Sequence, residues 1–464
     1  MELLNSSARI QLVILSIIGL CGPGMMFALV CLGNGAYSPS NADLKTAVDI
    51  SLMTSFLVSG AFSFLGCNIS YRIGPRWCMF VSCVLYAVYT MSFAYNAFAK
   101  HSRLNVYTQV AAVLMGAGAG IFWSVQTTII IMYPGEETRG RCMAMFAALF
   151  NMGGVMGGII QFSLNANSKS RGVSGFTFVA LAAVQVLGAI VSLALVSPTQ
   201  VRREDTTLVM AHSAKSALGE MKRLGQHLYS KWSLLLVIPY FASHVGFAYT
   251  SDILCGALFN ARSRGFNNIF FWLAKTCGSI VLGFLLDYSQ WSRRRRAVIA
   301  LAVLFLASNG CWLGAWADQR RLFVGGTTDV IKVGMLDYTQ AAMAGPTIGL
   351  YTCFGFLVSV FDTLLMWLIS LLSDDFDVTG RNVSVFRGFQ AFGCAVSWAI
   401  VDNVSLLGSC LINWALALLC LPPLAYLALV IHSSAAPTDF DIDMEFSELR
   451  SEPELSKTPP DYSV

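Results

Sequence analysis

Apolar runs of about 20 residues recur along the chain, and they constrain its fold more than any other feature. A helix of that length crosses the hydrocarbon core of a bilayer, which is about 30 Å thick. Backbone groups in hydrocarbon must be hydrogen-bonded within their own segment, so each run is expected to be a helix. Twelve runs are predicted to span a membrane, centred near residues 21, 58, 88, 120, 152, 185, 246, 277, 307, 360, 392 and 419.

The composition also indicates a membrane protein. Hydrophobic residues make up 56% of the 464 positions and charged residues 12%, whereas soluble domains carry about 25% charged residues. The first run begins directly after Arg9 and is longer than a signal-peptide core, so it is interpreted as an uncleaved span. The 13 cysteines form no CxxC pair, which favours apolar packing over a disulfide scaffold or a metal site. No cofactor is predicted.

The longest basic loop, residues 197–231, divides the predicted spans into two groups of six. Its segment SAKSALGEMKRLGQHLYSKW is a candidate amphipathic helix for the inner membrane surface. The predicted units are therefore an N-terminal bundle over residues 1–196, this linker, a C-terminal bundle over 232–431 and a tail over 432–464. The acidic tail lacks apolar periodicity and is expected to be disordered, either for solubility or as a docking or phosphorylation segment.

Basic residues are concentrated in the loops on one side of the predicted spans. The positive-inside rule places that side, with both termini, in the cytoplasm. The tail carries no recognised retention signal, so the sequence favours neither the plasma membrane nor an internal membrane.

Each half carries a related segment after its second span. The segment reads GCNISYRIGPRW in the first half and GFLLDYSQWSRRRR in the second. Two similar halves of six spans, joined by a basic loop, resemble the major facilitator superfamily, an all-α polytopic fold of twelve transmembrane helices. The second segment resembles the inner-loop motif of that superfamily, and Gly283, Asp287 and the arginines from Arg293 carry the resemblance. In the superfamily this motif latches the two halves together.

The first-half copy of the motif is degenerate. Tyr71 stands where the motif has its acid, although Arg72, Gly74 and Arg76 remain. The resemblance therefore leaves the latch function of this copy open.

Charged residues inside the predicted spans also fit that fold. Spans 3, 6, 9 and 12, which face lipid in the superfamily, contain no Asp, Glu, Lys or Arg. The charges within spans are Asp252, Lys275, Asp362 and Arg387. Because charged side chains in hydrocarbon generally face a bundle interior or a watery cavity, these residues are candidates for a central site.

Several stretches carry a narrower resemblance. They are CGPGMMFALVCLGNG, GIFWSVQTTIIIMYPGEETRGRCMAMFAALFNMGGVMGG, DILCGALFNARSRGFNNIFFW, LYTCFGFLVSVFDTLLMW and GRNVSVFRGFQAFGCAVSW. Together they resemble the Unc-93-like family of the major facilitator superfamily over most of the chain. The resemblance implies several possible roles, because some members are described as regulatory partners of potassium channels, one branch escorts receptors through endomembranes, and many have no assigned substrate.

Motifs in the first half allow both structural and functional interpretations. Gly22, Pro23 and Gly24 interrupt span 1, either as a fixed kink or as a broken helix whose backbone holds a ligand. The YPGEETRGR segment is predicted to form either a moving latch or a static ion-pair cluster, through Glu136, Glu137, Arg139 and Arg141. The glycines of spans 4 and 5 indicate close helix packing.

Polar and aromatic residues in spans 4 and 5 are candidate ligand contacts. Trp123 and Gln126 share one face of span 4, where they could stack on and hydrogen-bond a solute. Helix-to-helix hydrogen bonding is an equal alternative for Gln126, and also for Asn151 and Gln161 of span 5.

The second half contains a set of ionisable candidates for binding or coupling: His244, Asp252, Lys275 and Asp362. An unpaired Asp362 at mid-membrane would cost about 2.5–3.5 kcal/mol. Two arrangements reduce that cost, namely pairing with Lys275 or protonation of the carboxyl group. The first is structural and the second would couple transport to protons. A hybrid of the two is a third alternative, in which protonation of Asp362 frees Lys275 to bind an anion.

Arg387 lies near the cytoplasmic end of span 11. Its side chain is expected either to reach the membrane surface or to contact an inner acid such as Asp374 or Asp375.

The leading hypothesis is a secondary transporter that moves a small molecule or ion across the lipid bilayer, with proton or cation coupling. The alternative is a non-transporting regulator or trafficking partner of another membrane protein, such as an ion channel or receptor. An enzyme is not predicted, because no nucleophile–base pair, metal-ligand spacing or phosphate-binding loop lies outside the spans. Nucleic-acid binding is not predicted either.

Overall fold

The computed structural model describes residues 7–31, 42–99, 106–135, 138–167, 173–202, 217–323, 334–373 and 375–430. The predicted tail at 432–464, together with Glu136, Glu137 and Asp374, lies outside these ranges. The described part is helical, and its β contacts are two isolated bridges, Ser7 with Arg202 and Phe259 with Leu336.

Within the described residues, the first half up to the linker contains six α-helices. They are α1 (Ala8–Gly19), α2 (Met25–Cys31), α3 (Ala42–Ala99), α4 (Val106–Met132), α5 (Arg139–Asn165) and α6 (Gly175–Ser192). A π-helical turn, Leu20–Gly24, joins α1 to α2.

The linker and the second half contain eight more α-helices. They are α7 (Ala217–Leu228), α8 (Lys231–Ala242), α9 (Ala261–Leu286), α10 (Arg293–Leu322), α11 (Ala341–Ser370), α12 (Phe376–Asn403), α13 (Leu406–Leu419) and α14 (Leu421–Val430). A π-helical segment, Tyr249–Ala257, lies between α8 and α9. The predicted seventh span is therefore broken rather than continuous.

Ten segments of the described chain are long and apolar enough to cross a membrane. One of them, Thr46–Ala99, has 54 residues, which is more than twice the length that one span needs. The backbone turns inside it at Gly74, whose φ of 80° is accessible to glycine at little cost. The chain is a polytopic all-α membrane protein, as predicted, and the number twelve stays a prediction.

The interruption of span 1 allows close packing against α5. Pro23 lies in the π-helical turn, where the ring removes a backbone donor. A Cβ atom on Gly24 would lie 3.1 Å from the Cα atom of Gly153 in α5. The two helices therefore approach within backbone contact at this point, and Pro23 itself lines the central cavity.

Two seams join the halves of the molecule. In the first, α5 packs along α9, and a Cβ atom on Gly265 would lie 2.6 Å from the backbone nitrogen of Phe162. In the second, α3 packs along α12, and a Cβ atom on Gly388 would lie 2.5 Å from the Phe64 ring. The sequence analysis predicted close packing for the glycines of spans 4 and 5. One of them, Gly158, lies at the first seam, where a Cβ atom would be 3.0 Å from the backbone nitrogen of Ile269.

Candidate functional site

A cavity of about 100 Å³ lies between the two halves, several times the space that one water molecule needs. It is lined from α2, α3, α4 and α5 of the first half and from α9, α11 and α12 of the second. Seven sequence-predicted residues line it, namely Trp123, Gln126, Asn151, His244, Lys275, Asp362 and Arg387.

Asp362 of α11 is surrounded by three partners. The Nε2 atom of Gln390 donates a hydrogen bond to Oδ1 over 3.1 Å, and Nδ1 of His244 lies 3.7 Å from the same oxygen. The Nζ atom of Lys275 lies 3.8 Å from Oδ2. The expected pairing of Asp362 with Lys275 is therefore present, and two further groups share the carboxylate.

Arg387 of α12 lies in the cavity instead of at the membrane surface. Its side chain is buried, Nε donates to Oγ1 of Thr127 over 2.8 Å, and Cζ lies 5.0 Å from the ring centre of Trp123. The expected contact with Asp375 is also wrong, because Asp375 instead accepts the backbone N–H of Val378. Partners on α4, which sequence spacing does not reveal, hold the guanidinium inside.

Gln390 connects these two charged residues and was missed by the sequence analysis. Its Oε1 atom accepts a 2.6 Å hydrogen bond from Nη1 of Arg387. Its Nε2 atom donates to both Asp362 and Oγ of Ser243, each over 3.1 Å. The only available signal was the spacing of three residues from Arg387, which places both side chains on one helix face.

The first-half wall of the cavity combines aromatic rings with amides. Phe27 lies 5.9 Å from Trp123, and Trp123 lies 5.5 Å from Phe150. Within the described chain, both amide atoms of Asn151 and the Oε1 atom of Gln126 have no hydrogen-bond partner, and each residue is 1% exposed. These polar atoms are therefore buried in the wall of the cavity without a partner from the described chain.

Gln161, the other amide considered on span 5, has a structural contact. Its Nε2 atom donates to the backbone oxygen of Ala28, and its Oε1 atom accepts from Asn268 over 3.4 Å. It joins three helices and does not line the cavity.

Asp252 does not line the cavity either. It is 2% exposed and belongs to the π-helical segment. The sequence analysis named it as a binding or coupling candidate, two turns beyond His244 in a span long enough to be kinked or broken. Because a π-helix bonds residue i to i+5, the two residues do not keep the same face.

Asp287, which directly follows α9, caps the start of α5. Its carboxylate accepts the backbone N–H groups of Gly140 over 2.9 Å and of Arg141 over 2.6 Å. Burial raises the pKa of Asp287 although these two bonds favour its charged form.

A second contact between the halves lies nearby. Nη1 of Arg139 donates to the backbone oxygen of Ser370 over 2.8 Å. Together, Asp287 and Arg139 fasten the start of α5 to the second half. They occupy the positions in which the superfamily motif predicts a latch.

The other residues predicted for the latch have different surroundings. Nε of Arg76 donates to the backbone oxygen of Leu195 over 2.8 Å, a contact within the first half. Arg72 is exposed, Gly74 forms the backbone turn and Arg293 begins α10.

The degenerate copy of the motif lies at the matching place on the other seam. Tyr71 packs against Phe376 with ring centres 6.2 Å apart, and a Cβ atom on Gly380 would lie 3.3 Å from its hydroxyl oxygen. The dipeptide Gly380-Arg381 lies in the first two turns of α12, as Gly140-Arg141 lies in the first turn of α5. Tyr71 therefore occupies the place where Asp287 lies in the other copy.

An acid reaches this place from the linker. Oε2 of Glu220 in α7 lies 3.4 Å from Nη1 of Arg381, and Nε2 of His227 lies 2.8 Å from Oδ1 of Asn382. The linker helix therefore docks on the start of α12 through two side chains. The helix predicted for the inner membrane surface therefore contacts protein at these two side chains.

Comparison with known sequences identifies the family. Residues 23–398 match the model of the Major Facilitator Superfamily. UNC93-like protein 1 of Arabidopsis thaliana is 30% identical over 91% of this chain and 90% of its own length. This chain is an Unc-93-like protein of the major facilitator superfamily. An UNC93-like protein of Schizosaccharomyces pombe is 28% identical over 89% of this chain and 81% of its own length.

Solved structures share the fold of this Unc-93-like chain. The proton:xylose symporter XylE bound to 6-bromo-6-deoxy-D-glucose has a TM-score of 0.61 at 12% identity, covering 89% of this chain and 94% of its own. FucP in the outward conformation has a TM-score of 0.58 at 12% identity, covering 92% and 99%. At such identity the likeness establishes the transporter fold and leaves the solute to be argued from the cavity.

Proposed function

We propose that this Unc-93-like protein is a secondary transporter that moves a small solute by rocking of its two halves, with Asp362 as a proton-coupling group. The observation that carries the proposal is the carboxylate of Asp362, held inside the cavity by Gln390, His244 and Lys275. Cavities between two bundles are the usual position of solute and coupling sites in such folds.

The contacts of Asp362 suit a group that changes its protonation state. Its separations from His244 and Lys275 are 3.7 Å and 3.8 Å, longer than the 2.7–2.9 Å of a tight charge-assisted hydrogen bond. Protonation of Asp362 in the proposed cycle would remove the counter-charge of Lys275.

A chain of contacts connects Asp362 to the opposite half. Gln390 bonds both Asp362 and Arg387, and Arg387 bonds Thr127 of α4. Neutralising Asp362 changes what Gln390 bonds, and so changes the support of the Arg387–Thr127 contact. A coupling group needs such a link to a contact that differs between the two states of the transporter.

The alternative, a non-transporting regulator or trafficking partner of a membrane protein, predicts polar groups that face a lipid-side groove. Asp362, His244 and Lys275 instead line the cavity between the halves. That placement supports transport over the regulatory hypothesis.

Transport can be tested in proteoliposomes that contain a pH-sensitive dye. Wild-type protein, Asp362→Asn and the exposed control Asp402→Asn would receive amino acids, sugars, nucleosides and organic acids in turn. The expected result is solute-dependent proton movement in wild type and control, and solute exchange without proton movement in Asp362→Asn. If wild type neither exchanges nor couples any member of the panel, transport is rejected and affinity capture of membrane-protein partners becomes the next experiment.

A further inference from the structure

We infer that the cavity binds a small organic anion that carries one carboxylate and a planar apolar body. This inference rests on the proposed function, since it takes the cavity between the halves as the solute site. It is carried by three independent features of the cavity wall: its charge balance, its ring cluster and its unpartnered amides.

The charge balance of the wall favours an anion. The ionisable residues that line the cavity are His244, Lys275, Asp362 and Arg387. Asp362 lies beside Lys275 and His244, whereas no carboxylate of the described chain lies within 4.0 Å of Arg387. Lys275 and Arg387 are two cations and Asp362 is one carboxylate, so one positive charge in the cavity wall has no carboxylate of the described chain to balance it.

The hydrogen-bond partners of Arg387 in the described chain include no counter-charge. Its side chain is 8% exposed, and its nitrogen atoms bond Thr127, Gln390 and the sulfur atom of Met366. All three partners are neutral. Because a buried charge is costly unless it is paired, a carboxylate on the solute would supply the missing counter-charge, and the guanidinium geometry suits a carboxylate.

The ring cluster defines the shape of the rest of the solute. Phe27, Trp123 and Phe150 line the cavity, and Trp272 lies behind them, 5.8 Å from Phe27 and 6.0 Å from Phe150. Arg387 lies over Trp123 at 5.0 Å, and Lys275 lies over Trp272 at 5.0 Å. A planar apolar group can pack on these rings while its carboxylate faces a cation.

The amides provide positions for one further polar group. Both amide atoms of Asn151 lack a partner within the described residues, and the side chain is 1% exposed. Buried polar atoms are rarely left unbonded. A hydroxyl group on the solute would accept from Nδ2 of Asn151 and donate its one proton either to Oδ1 of Asn151 or to Oε1 of Gln126.

Binding of defined probes to the purified full chain tests this inference. Isothermal titration would use benzoate, phenylacetate and 3-phenylpropionate, each compared with its neutral amide, and inorganic phosphate as an anion without a ring. The variants are Arg387→Gln, Arg387→Lys and the matched control Arg295→Gln. Arg295 also stacks on a tryptophan, 4.5 Å from Trp291, but does not line the cavity.

At least one carboxylate is expected to bind saturably and at least tenfold more tightly than its amide. Arg387→Gln should weaken that binding at least tenfold, Arg387→Lys should keep part of it, and Arg295→Gln should leave it unchanged. If Arg387→Gln fails to fold, the comparison of carboxylate with amide in wild type still tests whether the cavity prefers an anion. Trp123→Leu then tests the ring wall and should weaken the carboxylate at least fivefold.

Three results would each overturn the inference. Carboxylates and amides could bind equally, no carboxylate could bind, or phosphate could bind as tightly as the best carboxylate. The proposed function fails separately. Carboxylate binding without proton-coupled uptake in proteoliposomes would keep the anion site and reject coupled transport. Coupled uptake of only neutral or cationic solutes would keep transport and reject the anion site.

Discussion

The guanidinium of Arg387 lies 5.0 Å from the ring centre of Trp123, and these residues belong to opposite halves of the chain. The same guanidinium bonds Gln390 of its own helix and Thr127 of the opposite half. One side chain thus joins the cavity wall of the first half to the ionisable group of the second. The proposed rocking of the halves would break or remake this contact, so its strength would bear on both stability and function.

Lys275→Met is expected to destabilise the protein by about 3 kcal/mol, because removing one partner of a buried ion pair leaves the other charge without full compensation. Lys275 and Asp362 have side-chain exposures of 11% and 16%. The double variant Lys275→Met/Asp362→Asn should recover most of the loss. Thermal unfolding in a fixed detergent would measure both. Lys231→Met, which removes an exposed lysine beside the Trp232 and Tyr426 rings, is the control and should change stability little.

If the double variant is as unstable as Lys275→Met alone, the pair does not explain the loss. The lysine then contributes mainly through packing on Trp272, and the cycle would show no coupling energy between the two charges.

Gly265→Ala is expected to destabilise the α5–α9 seam by about 1–3 kcal/mol, the usual cost of overpacking. The added methyl group would lie 2.6 Å from the backbone nitrogen of Phe162, and a backbone atom cannot rotate away. Gly349→Ala is the matched control, because no atom lies within 4 Å of the Cβ position there. A lower unfolding temperature for the first variant only would support the seam. Equal unfolding temperatures for both variants would contradict this packing.

Glu220→Gln is expected to loosen the linker helix α7 from the start of α12. Glu220 contacts Arg381 at 3.4 Å and Arg223 at 3.5 Å, and such a partly exposed pair contributes about 1 kcal/mol at most. Amide hydrogen exchange of α7 should therefore rise by about fivefold or less. Lys222→Gln, on the exposed side of the same helix, should leave the exchange rate unchanged. Unchanged exchange in Glu220→Gln would show that this ion pair does not hold the helix.

Acidification is expected to loosen the same helix through His227. Burial lowers the pKa of His227 below its ordinary value of 6.5, and its Nδ1 atom has no partner in the described chain. Since the docked helix binds fewer protons than the free one, docking is fully stable above pH 6.5 and weakens as the pH falls below that value.

Hydrogen exchange of α7 at pH 5.0 and 7.5, corrected for intrinsic rates, measures this effect. Arg381 is the charged group that adds to the lowering of the pKa, and Asn382 opposes it as a hydrogen-bond partner. His227→Gln should remove the pH dependence of α7 and leave that of α6 unaltered. A wild-type α7 that exchanges equally at both pH values would refute the expectation.

The pairing of Asp362 with Lys275 was predictable from sequence, because a carboxylate in an apolar span needs a partner and lysine was the nearest basic candidate at similar depth. Gln390 was not predictable, because an uncharged amide costs less in an apolar span than a carboxylate does. Its presence there therefore does not require a particular partner. Arg387 was named as a candidate for a central site, but its contacts with Thr127 and Gln390 are not the expected ones with the membrane surface or an inner acid. Depth along a helix limits how far a side chain can reach, but it does not determine which neighbouring helix faces it.

The sequence by itself determined that this protein lies in a membrane, that it is helical and to which family it belongs. Hydropathy and motif spacing are properties of the linear chain, so they can be measured without the fold. Only the tertiary structure decided that Asp252 lies away from the cavity and that Glu220 approaches Arg381 where Tyr71 replaces an acid. These relationships depend on the rotation of each helix and on contacts between residues more than 100 positions apart. Packing sets them, since each helix must bury its small residues against a particular neighbour.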